Sequence, residues 1–254
     1  MNESDDRDAI LIDTIDRSTA GGGTPGATGD TELDALVQLG VWLRGAPDPA
    51  FKRWLKDSLI AMTPERRALG PAAKIGVIAD THGCREDGSD LPEQVLDAFA
   101  GVDLIVHCGD IGNLAILDRL ETVAPVLALR GEADPPTADA RVVSSPHRLE
   151  AGGVRVGIIF DLASLGASKS TADVPPPERL ASAFGGPVDV VVSAASHRET
   201  VAARGGVLLV NPGSPTLPAA PRAGELGTVA VLDIRDGTVV VEVVRLRKAV
   251  TSDE

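Results

Sequence analysis

Asp80-Thr81-His82-Gly83 places a carboxylate and an imidazole one residue apart. Held in extended backbone, the two side chains point to the same side of a strand and can grip one cation. Four further clusters have the same texture: His107-Cys108-Gly109-Asp110, Arg130-Gly131-Glu132-Ala133-Asp134, Ser193-Ala194-Ala195-Ser196-His197 and Asn211-Pro212-Gly213-Ser214-Pro215. Each follows a short apolar run. Open α/β sheets gather their ligands at the carboxyl ends of strands, so five successive exits rich in Gly, Asp, His and Asn mark one candidate site. Carboxylates and imidazoles together suit a metal ion.

The elements that must carry these exits are legible as a change of texture after Pro71. Residues 74–79, 104–107, 126–129, 154–160, 188–193 and 207–210 read as buried strands, with 92–100, 113–121 and 177–184 as the helices between them. The chain closes differently, with two alternating runs at 228–234 and 238–245 flanking Arg235-Asp236-Gly237, a hairpin signature. A β-α-β series that ends in a hairpin predicts an α/β sandwich of two sheets with helices outside. Ahead of it, residues 33–70 read as a helical extension. Leu33, Leu36, Val37, Leu39, Val41 and Leu43 follow a helical period; Asp48-Pro49 then opens a second helix with Phe51, Trp54, Leu55, Leu59 and Met62 on one stripe. Residues 1–32 read as a flexible acidic tail. Up to Asp34 there are nine acidic residues against two arginines, and Gly21-Gly22-Gly23-Thr24-Pro25-Gly26 interrupts the segment.

Composition narrows the function classes. The chain has 254 residues, 43% of them hydrophobic, and a formal net charge of -13. Bulk charge of that sign argues against nucleic acid and against an anionic membrane surface. Two Trp, four Phe and no Tyr leave few rings for stacking bases. Cys84 and Cys108 make no disulfide framework and read as small buried core residues. The first residues are acidic where a secretory signal needs cations, and no 18-residue apolar run occurs, so the expected location is the cytoplasm.

With these motifs in hand, the chain resembles the calcineurin-like metallophosphoesterases, in their compact bacterial and archaeal phosphodiesterase branch, over about residues 74–246. Asp80-Thr81-His82-Gly83 resembles the family's Asp-x-His-Gly, Gly109-Asp110 its Gly-Asp, and Asn211-Pro212-Gly213-Ser214 its Asn-Pro-Gly-Ser. Gly131-Glu132-Ala133-Asp134, Phe160-Asp161 and Ala194-Ala195-Ser196-His197 lie where Gly-Asn-x-Asp, His-Gly-His and Gly-His-Thr-His belong. The resemblance implies a four-layer α/β sandwich over residues 71–248 and hydrolysis of phosphate esters. It also implies that one metal is held by Asp80, His82, Asp110 and His197. The family's other metal shares Asp110 and draws on three positions that are Glu132, Phe160 and Ala195 here. Glu132 can ligate; Phe160 and Ala195 cannot. The proton-donating His of many members is Ala133. Asp161, Glu132 and Arg198 are the available replacements.

The expectation is a metal-dependent phosphoesterase with one intact site for Mn, Fe or Zn, one ion per chain, and reduced activity. Asp110 and Glu132 are its catalytic candidates, and a small phosphate ester is its substrate class. The alternative is a catalytically inactive scaffold or binding protein of the same fold, gripping a protein partner through the N-terminal helices.

Overall fold

The computed structural model of the chain describes residues 68–69, 72–143, 145–166 and 175–248; the expected acidic tail and nearly all of the expected helical extension lie outside them. The described residues build two six-stranded mixed sheets. The first contains β2 (Ala72–Ile78), β3 (Leu104–His107), β4 (Val126–Leu129), β5 (Val142–Val143) and the hairpin β11 (Glu225–Arg235) and β12 (Thr238–Arg247), in the order β12-β11-β2-β3-β4-β5. The second contains β1 (Ala68–Leu69), β6 (His147–Ala151), β7 (Val154–Ile158), β8 (Val190–Val192), β9 (Glu199–Arg204) and β10 (Val207–Pro212), in the order β1-β6-β7-β8-β10-β9.

Alternation along the strands fills both faces of each sheet. In β2, Ala73, Ile75 and Val77 turn toward the other sheet and meet Val156, Val190 and Val210 in the central core. Ile78 faces outward, against α1 (Glu93–Ala98) and α2 (Ala115–Glu121), where Val95, Ile116, Leu117 and Leu120 cover the first sheet. On the opposite flank, Leu180 and Phe184 of α3 (Pro177–Phe184), four residues apart on one face, cover the second sheet, whose Val191 and Leu209 share their cluster. The order is therefore helix, sheet, sheet, helices: the four-layer sandwich.

Two glycines allow the helices to approach this closely. A Cβ at Gly76 of β2 would lie 2.8 Å from the Phe99 ring, and one at Gly157 of β7 would lie 2.9 Å from the Phe184 ring. Each sheet thus accepts a helix-end phenylalanine over a strand position that has no side chain.

The hairpin forms as expected, with strands longer than the sequence suggests. Several edge strands are additional. Residues 68–69, just before Gly70-Pro71, pair in parallel with β6. β6, an inner strand between β1 and β7, is also additional, and its first residue, His147, is half-buried. β9 pairs antiparallel with β10; its alternation is too polar to announce a strand. Among the described residues no helix is long and apolar enough to cross a membrane.

Candidate metal centre

The parallel register of β2 with β3 pairs Ile78 with His107, so the two chains leave the sheet side by side carrying Asp80 and Asp110. From the second sheet, β8 pairs with β10 and its exit brings Ala195 and His197 to the same edge. These residues do not converge by strand alternation, as extended backbone at 80–82 would require. Asp80, His82, Asp110, Ala195 and His197 all have left-handed backbone, with φ between 46° and 64°. Such a conformation costs a non-glycine residue of order ~1–3 kcal/mol and persists only where its surroundings impose it. Here the imposition is visible. Asp80 N–H donates to Gly109 O (3.0 Å), His82 N–H to Asp110 O (3.0 Å) and Gly83 N–H to Ile111 O (2.8 Å), which locks the first two loops together.

The side chains meet at one point. His82 Nε2 lies 3.2 Å from His197 Nε2 and 3.7 Å from Asp110 Oδ2. Ligand atoms of Asp80, His82 and His197 all lie within 4.8 Å of one another. Asp80 is completely buried; its Oδ1 accepts Ala195 N–H at 3.1 Å, while its Oδ2 has no hydrogen-bond partner. Burial pushes its carboxyl up to about 6, against the lowering effects of the His197 imidazole and the Ala195 amide, and with Asp110 adding a further rise. Asp110 Oδ1 accepts Ala133 N–H at 2.9 Å, which leaves Oδ2 on the histidine side. His197 Nδ1 lies 2.7 Å from Leu217 O, an acceptor, so Nδ1 carries the proton and Nε2 presents its lone pair to the cluster.

This donor set fits a divalent cation. An orphaned buried carboxylate oxygen is unfavourable by itself. Two imidazole nitrogens in near contact, with carboxylates beside them, are the mixed N/O ligands that borderline divalent ions take.

The other side of Asp110 is differently furnished. Phe160 is half-buried and packs into the central core, with its ring so close to Gly109 that a Cβ there would lie 2.6 Å from Phe160 Cδ2. Ala195 is exposed; only its amide serves the site. Glu132 is exposed and makes no hydrogen bond or ion pair among the described residues. Its neighbour Ala133, not Glu132, touches Asp110. Asp161 Oδ1 accepts Ala163 N–H and caps the short 3-10 turn Leu162–Leu165. Arg198 is exposed and follows His197 directly. Cys108 is completely buried, as expected of a core cysteine, and burial raises its thiol well above the ordinary range; Cys84 departs from that expectation, because it lies in the exposed loop 84–87, and neither is in a disulfide.

Residues of the same motifs that are not candidate ligands brace the ligand loops. Thr81 Oγ1 donates to Ile111 O (2.9 Å) and accepts from His107 Nε2 (2.8 Å), whose Nδ1 in turn accepts Gly109 N–H (3.2 Å). The histidine is fully buried and burial lowers it to about 4, so it is a neutral brace. Asp134 spans two amides, Gly112 N–H at 2.9 Å and Gly131 N–H at 2.8 Å. Asn211 holds the His197 loop through Ala194 O (2.9 Å) and Ser196 Oγ (3.1 Å). Each of these bracing residues lies within a motif that marks a strand exit in the sequence.

Residues 73–237 match the calcineurin-like phosphoesterase superfamily domain. A protein named a probable metallophosphoesterase from Methanocaldococcus jannaschii is 34% identical over 175 residues, covering 66% of this chain and 79% of its own length. Another of the same description, from Methanothermobacter thermautotrophicus, is 37% identical over 145 residues, 57% of this chain and 78% of its own. A solved archaeal phosphodiesterase superimposes with a TM-score of 0.50 at 20% identity, covering 67% of this chain and 99% of that one, and shares the fold.

Proposed function

Because the chain belongs to the calcineurin-like phosphoesterase superfamily, a family that uses divalent metals, we propose that it is a metal-dependent phosphoesterase of phosphodiesterase type. One divalent ion, Mn²⁺, Fe²⁺ or Zn²⁺, is held by Asp80, His82, Asp110 and His197. The observation that carries the reading is the grouping of the buried Asp80, one of whose carboxylate oxygens has no partner, with His82 and His197, whose Nε2 atoms lie 3.2 Å apart.

Such an ion supplies Lewis acidity toward a phosphoryl oxygen and makes a water molecule acidic enough to act as a nucleophile near neutral pH. The chain's own contribution is placement. Leu217 O keeps the His197 proton on Nδ1, and the Ala195 and Ala133 amides each hold one oxygen of Asp80 and Asp110, leaving the other oxygen to the centre. The half of the site beyond Asp110 has Phe160 against Gly109 and no imidazole from position 195. A second cationic clamp on the phosphoryl group is therefore missing. Loss of one good electrostatic stabiliser typically costs ~3–4 kcal/mol of barrier, about 10²–10³ in rate, so turnover is expected to be slow. Glu132, exposed and without a hydrogen bond or ion pair among the described residues, is the replacement carboxylate assigned to that side.

Purified protein loaded in turn with Mn²⁺, Fe²⁺ and Zn²⁺ is expected to hydrolyse a generic aryl phosphodiester, and Asp110→Ala to abolish that hydrolysis. Absence of turnover with every metal rejects the hydrolase. The second reading, a scaffold or binding protein of this fold, draws on Phe160 seated at Gly109. Equilibrium dialysis separates the two: one metal per chain supports the intact half-site, two metals mean replacements for the lost imidazoles, and none favours the scaffold.

A further inference from the structure

The turn after β10 is more extensively bonded to the metal loops than connection alone requires. Ser214 is completely buried, and its hydroxyl donates to Asp80 O at 2.8 Å. The same oxygen accepts Leu217 N–H at 2.8 Å and Thr216 N–H at 3.2 Å. Thr216 Oγ1 donates to Thr81 O at 2.8 Å. The far end of the turn then presents Leu217 O to His197 Nδ1 at 2.7 Å. One short turn is thus fastened to two successive carbonyls between the residues of the first ligand pair and also holds a ligand that arrives from the other sheet.

We propose that Ser214 and Thr216 are positioning residues that set His197 in its metal-binding tautomer and in register with Asp80 and His82. The inference rests on the metal-centre reading above and assigns the machinery that assembles it. A carbonyl can only accept, so Leu217 O in this place keeps the proton on Nδ1 and the lone pair on Nε2. It stays in place because Ser214 Oγ holds the Leu217 amide of the same residue. Without the Ser214 hydroxyl, Asp80 O, Leu217 N–H and Thr216 N–H lose a common partner, and the carbonyl is free to drift from the imidazole. Without the Thr216 hydroxyl the turn loses its second fastening, at Thr81, between the two ligands.

Co²⁺ titrations of the full-length protein compare wild type with Ser214→Ala, Thr216→Val and Thr216→Ser, each checked for fold by circular dichroism. Long-range ¹H–¹⁵N spectra of the metal-free proteins report the His197 tautomer. Loss of a partner that orients a ligand typically costs about 10–100-fold in metal affinity. That loss is expected for Ser214→Ala and Thr216→Val, with a shift from the Nδ1–H tautomer toward a mixture. Thr216→Ser keeps the hydroxyl and is expected to restore both. Should Ser214→Ala fail to fold, the Val and Ser variants of Thr216 decide the matter. Folded variants with wild-type Co²⁺ affinity and unchanged tautomer overturn the positioning role alone. Wild-type protein that takes up no Co²⁺ overturns the metal-centre reading itself.

Discussion

Asp80 has no exposure to solvent, and one of its oxygens has no partner. Its carboxyl stands at about 6 in the fold against 3.8 in the unfolded chain. A carboxyl raised in this way favours the metal-free fold below pH 4, and that contribution is lost as pH rises through about 6. A cation bound there reverses the balance above pH 6 and must displace a proton below it. Metal is therefore expected to raise the unfolding temperature more at pH 7.5 than at pH 5, as read by thermal melts with and without Zn²⁺. Asp80→Asn can still accept the Ala195 amide without carrying charge. It is expected to leave the metal-free protein as stable as wild type or more so at pH 7.5, while removing the metal-dependent increment.

At the scale of elements, the close approach of α1 and α3 to their sheets decides how tightly the ligand-bearing strands are held. Gly76 sits two residues before Ile78, the last residue of β2 and two before Asp80, and Gly157 sits three before Phe160. Alanine at either place drives a methyl into a phenylalanine ring at under 3 Å. Overpacking of that kind typically costs about 1–3 kcal/mol. Gly76→Ala and Gly157→Ala are each expected to lower the urea midpoint by a corresponding amount, with the m-value unchanged. The strand pattern made these two helices legible, because Val95 and Phe99, or Leu180 and Phe184, recur four residues apart. The edge strands were not legible: β5 has only two residues, and β9 reads Glu-Thr-Val-Ala-Ala-Arg, whose pairing with β10 depends on a neighbour that is already in place.

Over the whole molecule, the proposed centre draws Asp80, His82 and Asp110 from the exits of one sheet and His197 from the other. An ion bound by all four links the two sheets in the folded state alone. Binding at about 100 times Kd adds ~2.7 kcal/mol to stability. Metal-loaded protein is expected to show that gain in chemical denaturation, and His197→Ala to lose most of it, since the remaining ligands belong to one sheet. The chain's net charge of -13 supports cation uptake only in a general way, because seven of those charges fall before residue 35.

Amino-acid order alone determined the alternating β/α run, the closing hairpin and the polar strand exits, because apolar periodicity and short polar runs are local patterns; the likeness of those exits to the family's motifs is what implies Asp80, His82, Asp110 and His197 as one set. It also exposed the missing imidazoles at 160 and 195. What only the tertiary structure decided was how the set converges. The left-handed backbone at each ligand is held by hydrogen bonds between loops 30 and more residues apart, such as Thr81 with Ile111 and Ser214 with Asp80. The stacking of Phe160 on Gly109, the capping role of Asp161 and the exposure of Glu132 likewise depend on packing between exits of different strands. Residue types announce which atoms can bind a cation; the orientation of those atoms is a property of contacts that close only when both sheets have formed.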